Sequence, residues 1–193
     1  MAAGRVRTGF SLPYVALYSA TGTTISYSSG QKLARGVEVS LDVEAEEDNI
    51  FYADNTSAES APGIMTSGTA TLTVDGLKLA AERLIMGLPA ADDAGWTHYG
   101  DAMTIPYVGI GYIVRYQEDG VTSYEPTILR KCRFVAPGED AQTAGESVEW
   151  QTQELTATVL RDDTATHDWK WRGEAQSSEA AAEAKIKTAF GIV

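Results

Sequence analysis

One cysteine and two histidines are all that this chain of 193 residues offers to thiolate or imidazole chemistry. Cys132 alone allows neither an intramolecular disulfide nor a thiolate metal cluster. His98 and His167 are too few for a histidine-rich metal centre, and neither stands at i, i+4 from the other. Cations are scarce as well: 15 Lys and Arg stand against 27 Asp and Glu, a net charge of -12. Such a chain repels phosphate backbones and anionic lipid surfaces, so tight DNA binding is disfavoured. No apolar run is long enough to span a bilayer, and the segment from Met1 to Leu12, with Arg5 and Arg7, lacks the apolar core of a signal peptide. The expectation is a protein made in the cytosol with no membrane anchor. The triplet Asn55-Thr56-Ser57 fits a glycosylation acceptor but carries no weight without a secretory route.

Catalytic patterns are missing too. There is no nucleophile elbow, phosphate-binding loop or dinucleotide fingerprint. Gly109 and Gly111 lack the rest of that last pattern and fall within a strand, where glycine permits close backbone packing. His98 shares a loop with Asp92, Asp93 and Asp101 and is expected to be solvated. The acid groups Glu46-Glu47-Asp48, Asp92-Asp93 and Asp162-Asp163 lack the spaced ligands and glycine of a calcium loop and are expected to be solvated charge. Cys132 lies in the run Arg130-Lys131-Cys132-Arg133; a reactive thiol is one reading, a buried strand thiol the commoner one. With no convergent catalytic set, neither an enzyme nor a cofactor is expected.

What the chain does have is alternation. From Val37 to Asp48, the residues Val37, Val39, Leu41, Val43 and Ala45 point one way, and Glu38, Ser40, Asp42, Glu44, Glu46 and Asp48 point the other, because strand side chains alternate faces. One face is apolar and the opposite one is a ladder of carboxylates.

The hydrophobic content of 44% suffices for one core, so a single domain over residues 1–193 is expected. Met1 to Leu12 reads as a flexible arm, Tyr14 to Tyr18 as a short strand, and the Ser/Thr/Gly-rich stretch through Gly30 as a turn region. The acidic strand continues toward Ile50, Phe51 and Tyr52, and residues 55–63 form a loop. Thr66 to Asp75 is a strand with Ala70, Leu72 and Val74 opposed to Thr69, Thr71 and Thr73. Leu77 to Met86 switches to helical period and ends at Gly87. Residues 89–104 form a second loop. Tyr107 to Tyr116 and Val121 to Tyr124 flank an Asp119-Gly120 step, a hairpin signal, and another strand runs from Thr127 to Val135. Val148 to Arg161 alternates with a phase change that a bulge near Gln153 or Glu154 reconciles. A short strand covers Asp168 to Trp171, and Ser178 caps a helix over residues 178–190. With strands joined by hairpins and loops rather than helical crossovers, the expected class is mainly β: an antiparallel sandwich or barrel with one or two short flanking helices.

Three segments carry a resemblance: Phe51-Tyr52-Ala53-Asp54-Asn55; Pro106-Tyr107-Val108-Gly109-Ile110-Gly111-Tyr112; and Arg133-Phe134 through Ala141 to Trp150. In this order, followed by Leu155 to Thr158 and the pair Trp169 and Trp171, they resemble the major tail tube proteins of long-tailed phages with flexible, non-contractile tails, over about Ala34 to Trp171. The resemblance implies a β-sandwich-like subunit that closes into hexameric rings, with strands from each copy joining an inner barrel. It implies stacking of those rings into a tube in the virion tail, with a tape-measure protein, a tail terminator and baseplate or tail-tip components as partners. DNA would pass through the tube without specific binding.

On this reading Glu38, Asp42, Glu44 and Glu46 line the channel, joined by Thr69, Thr71 and Thr73, with Glu149 and Gln151 as further candidates. Same-face neighbours on a strand lie about 7 Å apart, where two unit charges in water repel by only about 0.6 kcal/mol. Sixfold repetition multiplies that cost, so salt is expected to ease assembly. The competing reading puts the same carboxylates in outer solvent. Lys131 and Arg133, on one face of their strand, are candidates to meet carboxylates of a neighbouring copy. The 55–63 loop, with Asn55, Ser57 and Glu59, and the N-terminal arm are candidates for ring-to-ring contact. A second class is a carbohydrate- or receptor-binding β module using Trp96, Tyr99, Trp169 and Trp171 as stacking platforms.

Overall fold

The computed structural model describes residues 4–53, 56–61, 63–101, 103–139, 141–143 and 150–192. Its core is one antiparallel sheet built from β1 (Val6–Thr21), β2 (Thr24–Lys32), β3 (Gly36–Ala45), β6 (Met65–Val74), β7 (Val108–Glu118), β8 (Val121–Phe134), β9 (Gln153–Leu160) and β10 (Lys170–Arg172). The remaining strands β4 (Asn49–Ala53) and β5 (Thr56–Ala61) pair, among the described residues, only with each other, and the helices are α1 (Leu79–Met86) and α2 (Glu179–Ala189). The strand order is β2-β1-β7-β8-β9-β6-β3, with β10 also paired to β8. The mainly β, antiparallel class with two short helices is as expected from the sequence.

The sheet buries one face in the main core and, over β1, β7 and β8, the other face beneath α2. On one, Val15, Leu72, Val74, Val108, Ile110, Leu129, Leu155, Ala157 and Val159 form the larger core, which Ala81, Ile85 and Met86 of α1 join. On the other, Tyr14, Ala16, Ile113 and Ile128 pack under Ala182 and Ile186 of α2 and Phe190 beyond it. Gly109 and Gly111 make that second contact possible: a Cβ on Gly111 would lie 2.6 Å from Ile186 and 2.9 Å from Phe190, and one on Gly109 2.5 Å from Tyr27. The helix therefore sits closer to the β7 backbone than any larger residue allows.

Local chemistry explains most boundaries. Gly87, at φ 63°, closes α1 in the left-handed conformation that glycine adopts freely. Ser178 Oγ accepts the Ala181 N–H and starts α2. Asp119 and Gly120 both take positive φ, the geometry a tight two-residue hairpin requires.

Five expectations are corrected. From Val6 onward the supposed N-terminal arm is the first part of β1: Val6 lies opposite Gln117 and Arg7 opposite Tyr116. Its period is hidden by register shifts between Arg7 and Gly9 and again between Ser11 and Tyr14, where Leu12 has φ 51°. Most of the Ser/Thr/Gly-rich turn region is the strand β2, whose polar composition suits the end of the sheet, where it pairs with β1 alone. The 55–63 loop is, over Thr56–Ala61, a strand paired with β4; Asn55 lies outside the described residues. The two strands read around Tyr124 and Thr127 are one continuous β8, through Pro126. The phase change near Gln153 needs no bulge, because β9 begins there; Trp150 precedes the strand and is exposed.

Candidate functional site

Strand β3 lies at one end of the sheet and, among the described residues, pairs only with β6. In an antiparallel pair, directly opposed residues share a face. The register places Glu38 opposite Thr73, Ser40 opposite Thr71, Asp42 opposite Thr69 and Glu44 opposite Ser67. Across β6 the rows continue into β9, where Thr73 faces Glu154, Thr71 faces Thr156 and Thr69 faces Thr158; Thr158 in turn faces Arg133 of β8. The carboxylate ladder and the threonine ladder thus form one polar sheet face, four strands wide.

Glu38, Asp42 and Glu44 are exposed on this face. Ser67 Oγ donates to Glu44 Oε2 at 3.0 Å, and the Gly63 N–H donates to Asp48 Oδ1 at 2.9 Å. Glu46 lies just past the end of β3, exposed, with its N–H bonded to the Ile64 carbonyl. Beside the polar face a cleft of 880 Å³ adds Asp75, Glu82, Glu139 and Glu154. Glu149 lies outside the described residues, and Gln151 is exposed at the rim of that cleft. No group of three or more His, Cys, Asp or Glu among the described residues is arranged to hold a metal ion.

The opposite face of β3 is incompletely covered. Val39 and Leu41 pack on the main core, yet Val37 and Val43 remain 55% and 45% exposed. Near its start the strand meets β1, where the Phe10 ring lies so close to Gly36 that any Cβ there would clash.

The basic run resolves into four different environments. Ile110 faces Leu129 while Val108 faces Cys132, so an irregularity shifts the phase between them and simple alternation fails across the run. Arg130 is buried, its Nη2 2.8 Å from Asp162 Oδ2 and its guanidinium 3.3 Å from the centre of the Trp171 ring. Lys131 Nζ is 2.7 Å from Asp163 Oδ2, and the Tyr18 hydroxyl bonds the same carboxylate. Lys131 therefore spends its charge within its own subunit. Arg133 is exposed and has no ion pair among the described residues. Cys132 is buried, and burial pushes its thiol above its ordinary value, so the neighbouring cations do not activate it.

Asp162 corrects the expectation of solvated charge. Burial alone would raise its carboxyl, but hydrogen bonds from Thr164 and Arg130 outweigh that and hold it below the ordinary value. Asp163 is held down by its bonds from Lys131 and Tyr18. No local pattern signals that this pair of acids meets this pair of cations, because the partners are about thirty residues apart and meet across a loop.

The other candidates stay apart from the polar face. Asp92 folds its own loop, accepting from the Ala94 and Trp96 N–H groups and lying 2.9 Å from His98 Nε2, with His98 exposed as expected. Ser57 sits in β5 opposite Tyr52, and Glu59 is exposed opposite Phe51. Trp169 packs against the core, and Trp171 gives one face to Arg130, leaving Trp96 and Tyr99 as the freely exposed aromatic pair. No helix among the described residues is long and apolar enough to cross a membrane. No protein-family model matches this sequence, and comparison with curated proteins found no relative.

Proposed function

We propose that this chain is a structural subunit that assembles with copies of itself into a hollow tube: a tail tube protein of the kind found in long-tailed phages with non-contractile tails. The observation that carries the reading is strand β3. It stands at the end of the sheet, presents one exposed carboxylate face in register with threonines, and leaves part of its apolar face uncovered. A sheet end of this kind is a pairing surface, and a monomer gains little from leaving it open.

In the assembly the sheet acts as a sandwich-like wall, and the contact of Phe10 with Gly36, which draws β3 toward β1, supports that form. The polar face lines the bore. Glu38, Asp42, Glu44 and Glu46 offer DNA phosphates no counter-charge, so the polyanion passes without being held. The stacked hexameric rings, the tape-measure, terminator and tail-tip partners and the place in the virion tail rest on the sequence resemblance. The stacking-platform reading loses two of its four aromatics to internal contacts and is not favoured. Electron microscopy of the purified protein at high concentration tests the proposal. Rings or tubes support it, and persistent monomers over a range of salt contradict it.

A further inference from the structure

A groove of 780 Å³ runs between β3 and β10. Residues 37–43 of β3 border one side, and Trp169, Lys170 and Arg172 border the other. Tyr112, Val114 and Tyr116 of β7 lie between them, and Arg7 and Phe10 come from β1. Both bordering strands have a free edge, since β3 pairs only with β6 and β10 only with β8 among the described residues. By alternation, Val37, Val39, Leu41 and Val43 turn toward the groove while Glu38 and Asp42 turn to the polar face.

The groove is cationic in a chain that is strongly anionic overall. Arg5 and Arg172 both bond the buried carboxylate of Glu125, and Arg172 and Arg7 also bond the Tyr116 hydroxyl. Arg7 and Lys170 have no carboxylate partner among the described residues. The groove lining thus carries three cations, Arg7, Lys170 and Arg172, against Glu38 and Asp42, whose side chains alternate toward the polar face. Burial, followed by repulsion from Arg172 and Arg7, lowers the pKa of Lys170.

We infer that this groove receives the acidic segment Glu47-Asp48, leading into β4, of a second copy of this chain. The inference rests on the self-assembly reading above. Charge complementarity selects the occupant, because the two acids are adjacent, exposed and closely followed by the exposed Ile50. The hairpin they lead into supplies the second argument. Among the described residues strands β4 and β5 pair only with each other, and an isolated two-stranded hairpin is marginal in water unless it docks on something.

Charge reversal on each side tests this. Sedimentation velocity is run on the wild type, Lys170→Glu, Glu47→Lys, and an equimolar mixture of the two variants, with near-ultraviolet circular dichroism confirming the fold of each. Both changed residues lack an internal ion pair among the described residues, so the fold is expected to survive. Each variant alone should associate at least tenfold more weakly than the wild type. The mixture should recover association, because each variant then meets a complementary partner. Wild-type association in both single variants, or a mixture no stronger than its components, overturns the docking inference and leaves self-assembly standing. A wild type that stays monomeric at every concentration overturns both.

Discussion

Arg130 and Asp162 form an ion pair withdrawn almost wholly from water, with side chains 2% and 0% exposed and Nη2 2.8 Å from Oδ2. The pair joins β8 to the turn after β9, and Thr164 Oγ1 and N–H satisfy the second carboxylate oxygen. With Trp171 lying over the guanidinium, every strong polar group in the cluster has a partner.

Removing one member strands the other. Asp162→Ala is expected to cost about 3–5 kcal/mol, because it leaves an uncompensated buried guanidinium. The double variant Arg130→Met with Asp162→Leu should recover much of the loss. Urea unfolding measures both; a single variant within about 0.5 kcal/mol of the wild type would show that the pair is solvated.

Acid should weaken the fold through the same corner. The carboxyls of Asp162 and Asp163 titrate below their ordinary value in the folded protein. A depressed folded pKa gives stability that is fully present above the unfolded value, near ~3.9, and is lost as pH falls through the folded value. Unfolding free energy is therefore expected to change little between about pH 7 and pH 5 and to drop below about pH 4. Asp163→Asn should make that drop shallower, and an unchanged slope would remove Asp163 from the account.

The seat of α2 depends on a missing side chain. Gly111→Val places carbon where Ile186 and Phe190 already lie, at 2.6 Å and 2.9 Å from the first added atom. The expected cost is about 1–3 kcal/mol. Combining Gly111→Ala with Ile186→Ala should cost less than the sum of the two changes, because they share one space. Additive losses, read from thermal unfolding, would mean that the helix has room to move.

Replacing Asp42, Glu44 and Glu46 with lysine tests the anionic bore in particles. The proposal expects tubes that form and eject DNA poorly. Well-formed particles with normal ejection would place the ladder in outer solvent.

The sequence made some of this visible and hid the rest, for physical reasons. Strand β3, strand β6, helix α1 with Gly87, the Asp119-Gly120 hairpin and the Ser178 cap were all readable, because period and turn chemistry are local signals. Strand β2 was not, since an end strand of Thr, Ser, Tyr and Gly carries little hydrophobic alternation. The first part of β1 was lost to irregularities around Gly9 and Leu12, which break the period that defines a strand. At the candidate site, alternation alone separated Glu38, Asp42 and Glu44 from their apolar neighbours. Their alignment with Thr73, Thr69 and Ser67 required the pairing register. The burial of Arg130 and Asp162 had no local signature at all, since a charged residue reads as exposed until its partner is known.

The most direct test is a density map of the assembled protein at a resolution that shows side chains. The account expects a tube in which Asp42 and Glu44 face the channel. A map that places these two carboxylates on the outer wall would contradict it, even if the assembly were tubular.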